Sequence, residues 1–375
     1  MRFFQVLQAA SRGAALVGAL ALFIPGVAAA AAGREGAGFL EIPVGAEPAA
    51  LGSAYTALAE NAYATVWNPA GLALVDVTQI AGMHLSYLES ISYEHLSGAI
   101  PLPSENDDAK ALGFSIQSLS SGDIQRRDVT GTVTGSFSTT FGAYGVGYGQ
   151  KIGDHSALGL MGKAIREKIS DASATAYAAD VGWLYFAAPN FTWGAAFSNV
   201  GPAIRLVDQS DPLPFQGRLG AAWRIDPDFR LSSDLIYRRN GPAAGALGLE
   251  WSNSTYFALR GGYNSSHIKE LGPIAGMTAG GALRFWGQEF AYAWVPFGDL
   301  GSTHYFSLLI RFTTDPRPDR AYPNLPKTRL RQAKNDDDFS TLDSPAQGYH
   351  DYGNIDEMLS DSDRRALKKL KGNDF

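Results

Sequence analysis

The stretch Thr303–Thr313, THYFSLLIRFT, decides how the rest of the chain is read. In an extended strand successive side chains point to opposite faces. Phe306, Leu308, Ile310 and Phe312 therefore share one face, and Tyr305, Ser307, Leu309 and Arg311 share the other. Working backwards, the same period returns. Leu219, Ala221, Trp223 and Ile225 oppose Arg218, Gly220, Ala222 and Arg224; Phe229, Leu231, Leu235 and Tyr237 oppose Arg230, Ser232, Asp234 and Arg238; Phe257, Leu259 and Tyr263 oppose Ala258, Arg260 and Gly262. One face is apolar with aromatic ends, and the other carries small residues and isolated charges. A soluble barrel turns the apolar set inward. A membrane barrel turns it outward to lipid and keeps the charges in the lumen.

Period-two segments fall at 78–89, 90–101, 109–121, 138–152, 155–168, 175–187, 190–200, 214–226, 228–239, 241–252, 254–264, 276–287, 289–297 and 303–313, which makes fourteen. Most run about 9–13 residues, the length a tilted strand needs to cross a bilayer. The connections alternate. Short turns are expected at Ile152–His155, Ala187–Asn190, Asp226–Asp228, Ser252–Ser254 and Trp286–Glu289, and longer loops at Gly122–Phe137, Ile169–Ala174, Gly201–Leu213, Asn264–Ala275 and Gly298–Ser302. Outer-membrane barrels have short periplasmic turns and longer external loops. Trp223, Trp251, Trp286, Trp294, Tyr237 and Tyr292 lie near strand ends, where an interfacial girdle is expected.

Composition agrees. Of 375 residues 42 are glycine and 18% are charged, a glycine-rich, charge-poor balance for a folded chain. The mean hydropathy of −0.09 is no objection, because barrel strands are only half apolar. The net charge of −6 argues against nucleic acid as a partner. Cysteine is absent, which excludes disulfides, thiol nucleophiles and a lipid-modified N-terminal Cys. No His/Asp/Glu grouping has metal-ligand spacing, and no cofactor motif or catalytic constellation occurs, so neither a metal nor a cofactor nor an enzyme activity is expected. Asp107-Asp108 and Asp336–Asp338 read as solvated loop.

The flanks differ from the strands. Residues 1–32 read as a secretory signal: Arg2 and Arg12, the apolar run Ala14–Ile24, a break at Pro25-Gly26, then small residues. A retained helical anchor is the competing reading. Residues 33–77 are apolar but broken by Pro43, Pro48 and Pro69, so they cannot form a ladder. One short helix over Leu51–Glu60 is expected there. Residues 314–375 are polar and expected to be mostly disordered, with one helix at Asp361–Lys371.

Here the residues become specific. Gly38–Ala73 resembles the N-terminal signature of the PorV/PorQ family of outer-membrane proteins through Phe39, Leu40, Ile42, Val44-Gly45-Ala46, Ala54–Glu60 and Trp67–Ala73. It departs at Glu47, where that family favours Arg, and at Pro48. Tyr292–Phe312 resembles the family's closing hairpin, including Val295–Gly301 and Thr303-His304. The family is similar to FadL-type transporters, which have fourteen strands and an N-terminal hatch with an Asn-Pro-Ala motif. The resemblance implies that residues 33–77 plug the lumen, with Trp67, Asn68, Pro69, Ala70 and Gly71 as the hatch motif.

The expected architecture is all-β: a fourteen-stranded antiparallel transmembrane β-barrel (78–313) with an N-terminal hatch and a polar C-terminal tail, in the bacterial outer membrane with both termini in the periplasm. Lys163, Arg218, Arg224, Asp234, Arg238, Glu250, Arg260, Arg284 and Arg311 are expected to face the lumen. They either bind an anionic head group or pair with one another and with the hatch. Gly142, Gly145, Gly147 and Gly149 read as close-packing positions rather than a phosphate loop. The resemblance implies export or surface delivery of secreted proteins in a type IX-like system, with secreted proteins or secretion-machinery components as partners beside outer-membrane lipids. The alternatives are FadL-like passage of hydrophobic small molecules and a structural barrel that tethers periplasmic partners.

Overall fold

The computed structural model describes residues 35–86, 91–103, 109–122, 124–253, 256–268, 272–298 and 301–312. The expected signal peptide and the polar tail lie outside the described residues. The strands are β1 (Gln79–Ser86), β2 (Ile91–Pro101), β3 (Lys110–Ser121), β4 (Ile124–Arg127), β5 (Val133–Phe137), β6 (Thr139–Ile152), β7 (Ser156–Ile169), β8 (Ala172–Ala188), β9 (Phe191–Val200), β10 (Ile204–Leu206), β11 (Gln209–Asp211), β12 (Gln216–Arg224), β13 (Phe229–Arg238), β14 (Ala244–Asn253), β15 (Phe257–Asn264), β16 (Met277–Phe285), β17 (Gln288–Pro296) and β18 (Ser302–Arg311).

Fourteen of them close into one antiparallel barrel in the order β1-β18-β17-β16-β15-β14-β13-β12-β9-β8-β7-β6-β3-β2. The first and last strands pair from Gln79↔Arg311 to Ser86↔His304, so the barrel wall has no free edge for lipid to meet. β4–β5 and β10–β11 are small hairpins carried on two of the loops.

The two faces divide as the period-two pattern requires. Leu219, Trp223, Leu231, Leu235, Leu247, Leu249, Leu259, Phe290, Phe306 and Leu308 are exposed on the outer wall. Arg218, Arg230, Asp234, Glu250, Arg260 and Glu289, from the same strands, are at least nine-tenths buried. Only lipid can receive so wide an apolar outer band. Trp223, Trp251, Trp286, Trp294 and Tyr237 are exposed.

Two local expectations are corrected. Ile169–Ala174 is no loop: β7 runs to Ile169, β8 starts at Ala172, and Ser170 turns the chain with φ 53°. The expected helix over Leu51–Glu60 is replaced by turns. Gly52 (φ 62°) and Ser53 (φ 68°) are left-handed there, which ends the preceding helical turn at Ala50. The first described residues of the hatch lie at the long-loop end. The Gly36 amide donates to the Pro212 carbonyl, in the loop between β9 and β12, at 3.1 Å. Ala37 N donates to Glu167 near the end of β7 at 2.8 Å.

Candidate functional site

The hatch fills the bore. Ala46, Ala50, Leu51, Ala54, Tyr55, Ala59, Ala62, Ala64, Ala70 and Leu72 are all at most 1% exposed. It enters as an arm (Ala37–Ile42), makes helical turns at Ala46–Ala50 and Ala64–Trp67, and leaves through a 3-10 segment at Pro69–Leu74. Proline and glycine exclude longer elements, so its backbone must approach the wall directly.

The wall makes room with inward glycines on successive strands. A Cβ at Gly113 would meet Thr65 and Leu72; at Gly149, Pro69 and Leu72; at Gly159, Pro69; at Gly182, Asn68 and Pro69; at Gly194 and Gly220, Thr56 and Ala57; at Gly248, Leu51; at Gly262, Leu51 and Gly52; at Gly280, Ala50. The hatch thus sits on a belt of nine glycines that runs through β3, β6, β7, β8, β9, β12, β14, β15 and β16.

Asn68 is the hinge pin of the motif. Its Oδ1 accepts from Ala70 N at 3.2 Å, capping the 3-10 segment that Pro69 begins. Its Nδ2 donates to the Thr56 carbonyl at 2.8 Å and to the Trp183 carbonyl of the wall at 3.2 Å. Trp67 donates from Nε1 to Val44 O at 2.8 Å, and its ring lies 4.7 Å from the Arg218 guanidinium carbon. Gly71 abuts the Ala59 carbonyl so closely that no side chain fits.

Charges fasten one side of the hatch. Arg230 reaches Glu250 at 2.7 Å and the hatch residues Glu60 at 2.8 Å and Glu47 at 3.5 Å. Arg260 reaches Glu250 at 2.6 Å, Glu289 at 2.9 Å and Glu47 at 3.4 Å. Arg284 closes the chain on Glu289 at 2.8 Å. Burial raises the Glu47 carboxyl above its ordinary value, and Arg260 pulls it back. A second group pairs Arg218 with Asp234 at 3.1 Å. Asp234 also accepts from Tyr55 N and Thr56 N, and Arg218 donates to Ser53 O at 2.8 Å.

The other sequence-predicted charges are placed apart from these groups. Lys163 pairs with Asp180 at 2.9 Å, Arg238 with Glu41 of the arm at 3.2 Å, and Arg311 donates to Gly287 O at 3.1 Å. Arg224 lines a cleft of about 40 Å³ at the short-turn end with Leu58, Glu60, Leu74, Phe186 and Arg230. That space suits a few waters, not an organic solute. Sequence reading left Arg230, Glu289, Asp180 and Glu47 out of the lumen set. The alternation of β13 already put Arg230 on the inner face, so that signal was available.

Above the hatch, at the long-loop end, apolar side chains gather around the arm beside the Glu167 and Arg238 contacts. Phe39 of the arm stacks on Phe141 with centroids 6.0 Å apart. Ile91, Leu119, Ile165, Ile204 and Leu213 belong to the same cluster.

No family model matches the chain, and no curated relative matches it. Solved structures do. The chain is similar to the toluene transporter TodX of Pseudomonas putida, at 13% identity over 71% of this chain and 96% of that one, TM-score 0.50. It is similar to the CymD monoaromatic hydrocarbon channel, at 12% identity over 72% and 96%, TM-score 0.51. A Pseudomonas aeruginosa FadL homologue matches at 11% identity over 70% and 97%, TM-score 0.46. The likeness to PorV/PorQ proteins rests on the motifs at 38–73 and 292–312 alone. At these identities the likeness is one of fold: the chain shares the closed β-barrel architecture of the TodX and CymD channels.

Proposed function

We propose that the protein admits small hydrophobic molecules through the outer membrane, with the hatch as its gate. The observation that carries this is the arm Ala37–Ile42, whose Phe39, Leu40 and Ile42 pack on apolar wall residues inside the barrel at the long-loop end, with Glu41 held aside by Arg238. A solute of similar character competes for that space by the same burial of apolar surface. The buried hatch turns at Ala46–Ala50, Ala64–Trp67 and Pro69–Leu74 fill the bore, so transit requires the hatch to shift. Support comes from the two solved structures of this fold, which are described as a toluene transporter and a monoaromatic hydrocarbon channel.

The test is a reversible lock. The described chain has no cysteine to interfere, and Ala46 of the hatch donates its amide to Ser307 of the wall at 2.8 Å. The double variant Ala46→Cys, Ser307→Cys, with disulfide formation verified by mass spectrometry, should stop uptake of radiolabelled toluene by intact cells when oxidised and restore it on reduction. Uptake that ignores the redox state, or that never exceeds cells lacking the protein, overturns the reading.

Surface delivery of secreted proteins is a second reading, favoured by the motif Trp67–Gly71 and its flanks. Recovery of several secreted proteins sharing one C-terminal domain, after crosslinking in native outer membranes, would favour it. Phe312 ends the barrel at the short-turn end, which, with long loops outside, supports a periplasmic tail in either reading.

A further inference from the structure

The hatch is fastened unevenly. On β12 to β18 its polar groups meet matched partners: Asp234, Thr278 and Ser307 accept hatch amides, and Arg230 and Arg260 hold its carboxylates. On β2 the wall offers hydrogen-bonding capacity that the hatch does not use. Tyr93, His95 and Ser97 are successive inward residues of that strand. Tyr93 donates to Gln117 at 2.9 Å. Among the described residues, both ring nitrogens of His95 and the Ser97 hydroxyl have no partner, although the two residues are 4% and 0% exposed.

Such atoms are costly to bury unpaired, and a group of them at one place asks for an occupant. They stand about 7 Å apart along the strand. On the β3 side Gln117, which accepts from Tyr93, and Ser115 stand opposite them; on the β1 and hatch side the surroundings are apolar or aromatic. Met83 is the register neighbour of His95 on β1, and the hatch ring of Tyr63 lies 6.0 Å from the imidazole, tilted by 32°. A pure hydrocarbon gains nothing from an imidazole and a hydroxyl. A molecule with an apolar body and one hydroxyl gains both, because neutral imidazole has one accepting and one donating nitrogen and serine does either.

We infer that His95 and Ser97 form a polar subsite on the β2 wall, which takes the hydroxyl of a small phenol or alcohol when the Tyr63 side of the hatch withdraws. This rests on the transport reading and sharpens it: the preferred solutes are monohydroxylated, not bare hydrocarbons. The ring packs on Met83 and Tyr63, and the hydroxyl spans toward His95 and Ser97.

The probe pair is p-cresol and toluene, which differ by one hydroxyl. Binding of each to the full-length barrel in detergent micelles is measured by calorimetry, for the wild type, for His95→Leu with Ser97→Ala, and for His95→Gln. The double variant should lose about tenfold in p-cresol affinity, the equivalent of one hydrogen bond, and keep its toluene affinity. His95→Gln, which retains a donor and an acceptor, should recover most of the loss. Equal p-cresol affinity in wild type and double variant overturns the subsite and assigns the unpaired atoms to ordered water. Equal loss for both probes also overturns it, since the substitutions then act through packing. Toluene uptake by cells carrying the wild type is scored separately. Its absence sinks the transport reading, while a hydroxyl-selective binding difference still stands or falls on calorimetry.

Discussion

Gly182 of β8 lies flush beneath Asn68 of the hatch, so a methyl group on Gly182 would run into the Asn68 Oδ1 atom. Glycine is needed here because the hatch backbone is packed against the wall, at a strand position whose backbone is ordinary. Gly182→Val should unseat the hatch without opening the barrel, at a cost of about 1–3 kcal/mol. The check is limited proteolysis beside heat-modifiability on a gel. Cleavage within residues 60–75 should appear while the folded barrel band persists; loss of that band would mean the glycine serves barrel closure.

Asn68→Ala removes the cap on Ala70 N and the donor that serves both Thr56 O and Trp183 O. Leaving buried carbonyls unpaired costs about 1–3 kcal/mol. Hydrogen exchange at Ala70 and Gly71 should accelerate by about ten- to a hundredfold, with exchange in β8 and β9 unchanged. Acceleration spread over the whole barrel would deny the residue its local role.

Arg230 and Glu47 should respond unequally to neutralisation. Arg230→Met takes one partner from Glu250, which keeps Arg260, and one from Glu60, in a buried setting where breaking a pair costs up to about 3–5 kcal/mol. Glu47→Gln keeps acceptors for Tyr55 and Asn61, and the contacts it gives up are the long ones, 3.5 Å to Arg230 and 3.4 Å to Arg260. It should cost about 1–3 kcal/mol, the smaller of the two losses, because the carboxylate is buried but its guanidinium contacts are long. Urea unfolding in lipid vesicles measures both, and comparable losses would show that Glu47 anchors the network as firmly as the wall does.

Sidedness is testable on one strand. Leu249 and Gly248 are neighbours on β14, the first facing out and the second meeting Leu51 of the hatch. Leu249→Arg should cost about 2–4 kcal/mol in vesicles by placing a charge in lipid. Leu249→Val should cost little. If both are tolerated in vesicles, β14 lies outside the hydrocarbon band.

The strands were legible in the sequence because each alternates between two unlike environments, lipid and lumen, and the alternation is written residue by residue. Where both faces carry small residues the signal fades. Ala172, Ser173 and Ala174 alternate too weakly to be seen as strand, so β8 starts earlier than expected. The hatch was legible as a segment by its prolines and glycines but not as a conformation. Gly52 and Ser53 take left-handed φ where Leu51–Glu60 suggested helix. The seat was harder still. Gly149 does pack against the hatch, as expected for that glycine run, yet Gly142 lies under the outward Tyr144, and Gly145 and Gly147 meet Met161. Which glycine meets the hatch depends on register between distant strands, which no local pattern encodes. The site's charges were found by their face, but their pairing was not, for the same reason.

The seam between β1 and β18 touches the hatch from both sides: Gln79 accepts from Ala62 N, and Ser307 accepts from Ala46 N. The last strand of the barrel thus shares its hatch contacts with the first. A finished cylinder would have to admit a proline-broken segment past nine close backbone approaches and a buried ion cluster. Seating the hatch before the seam closes avoids that passage.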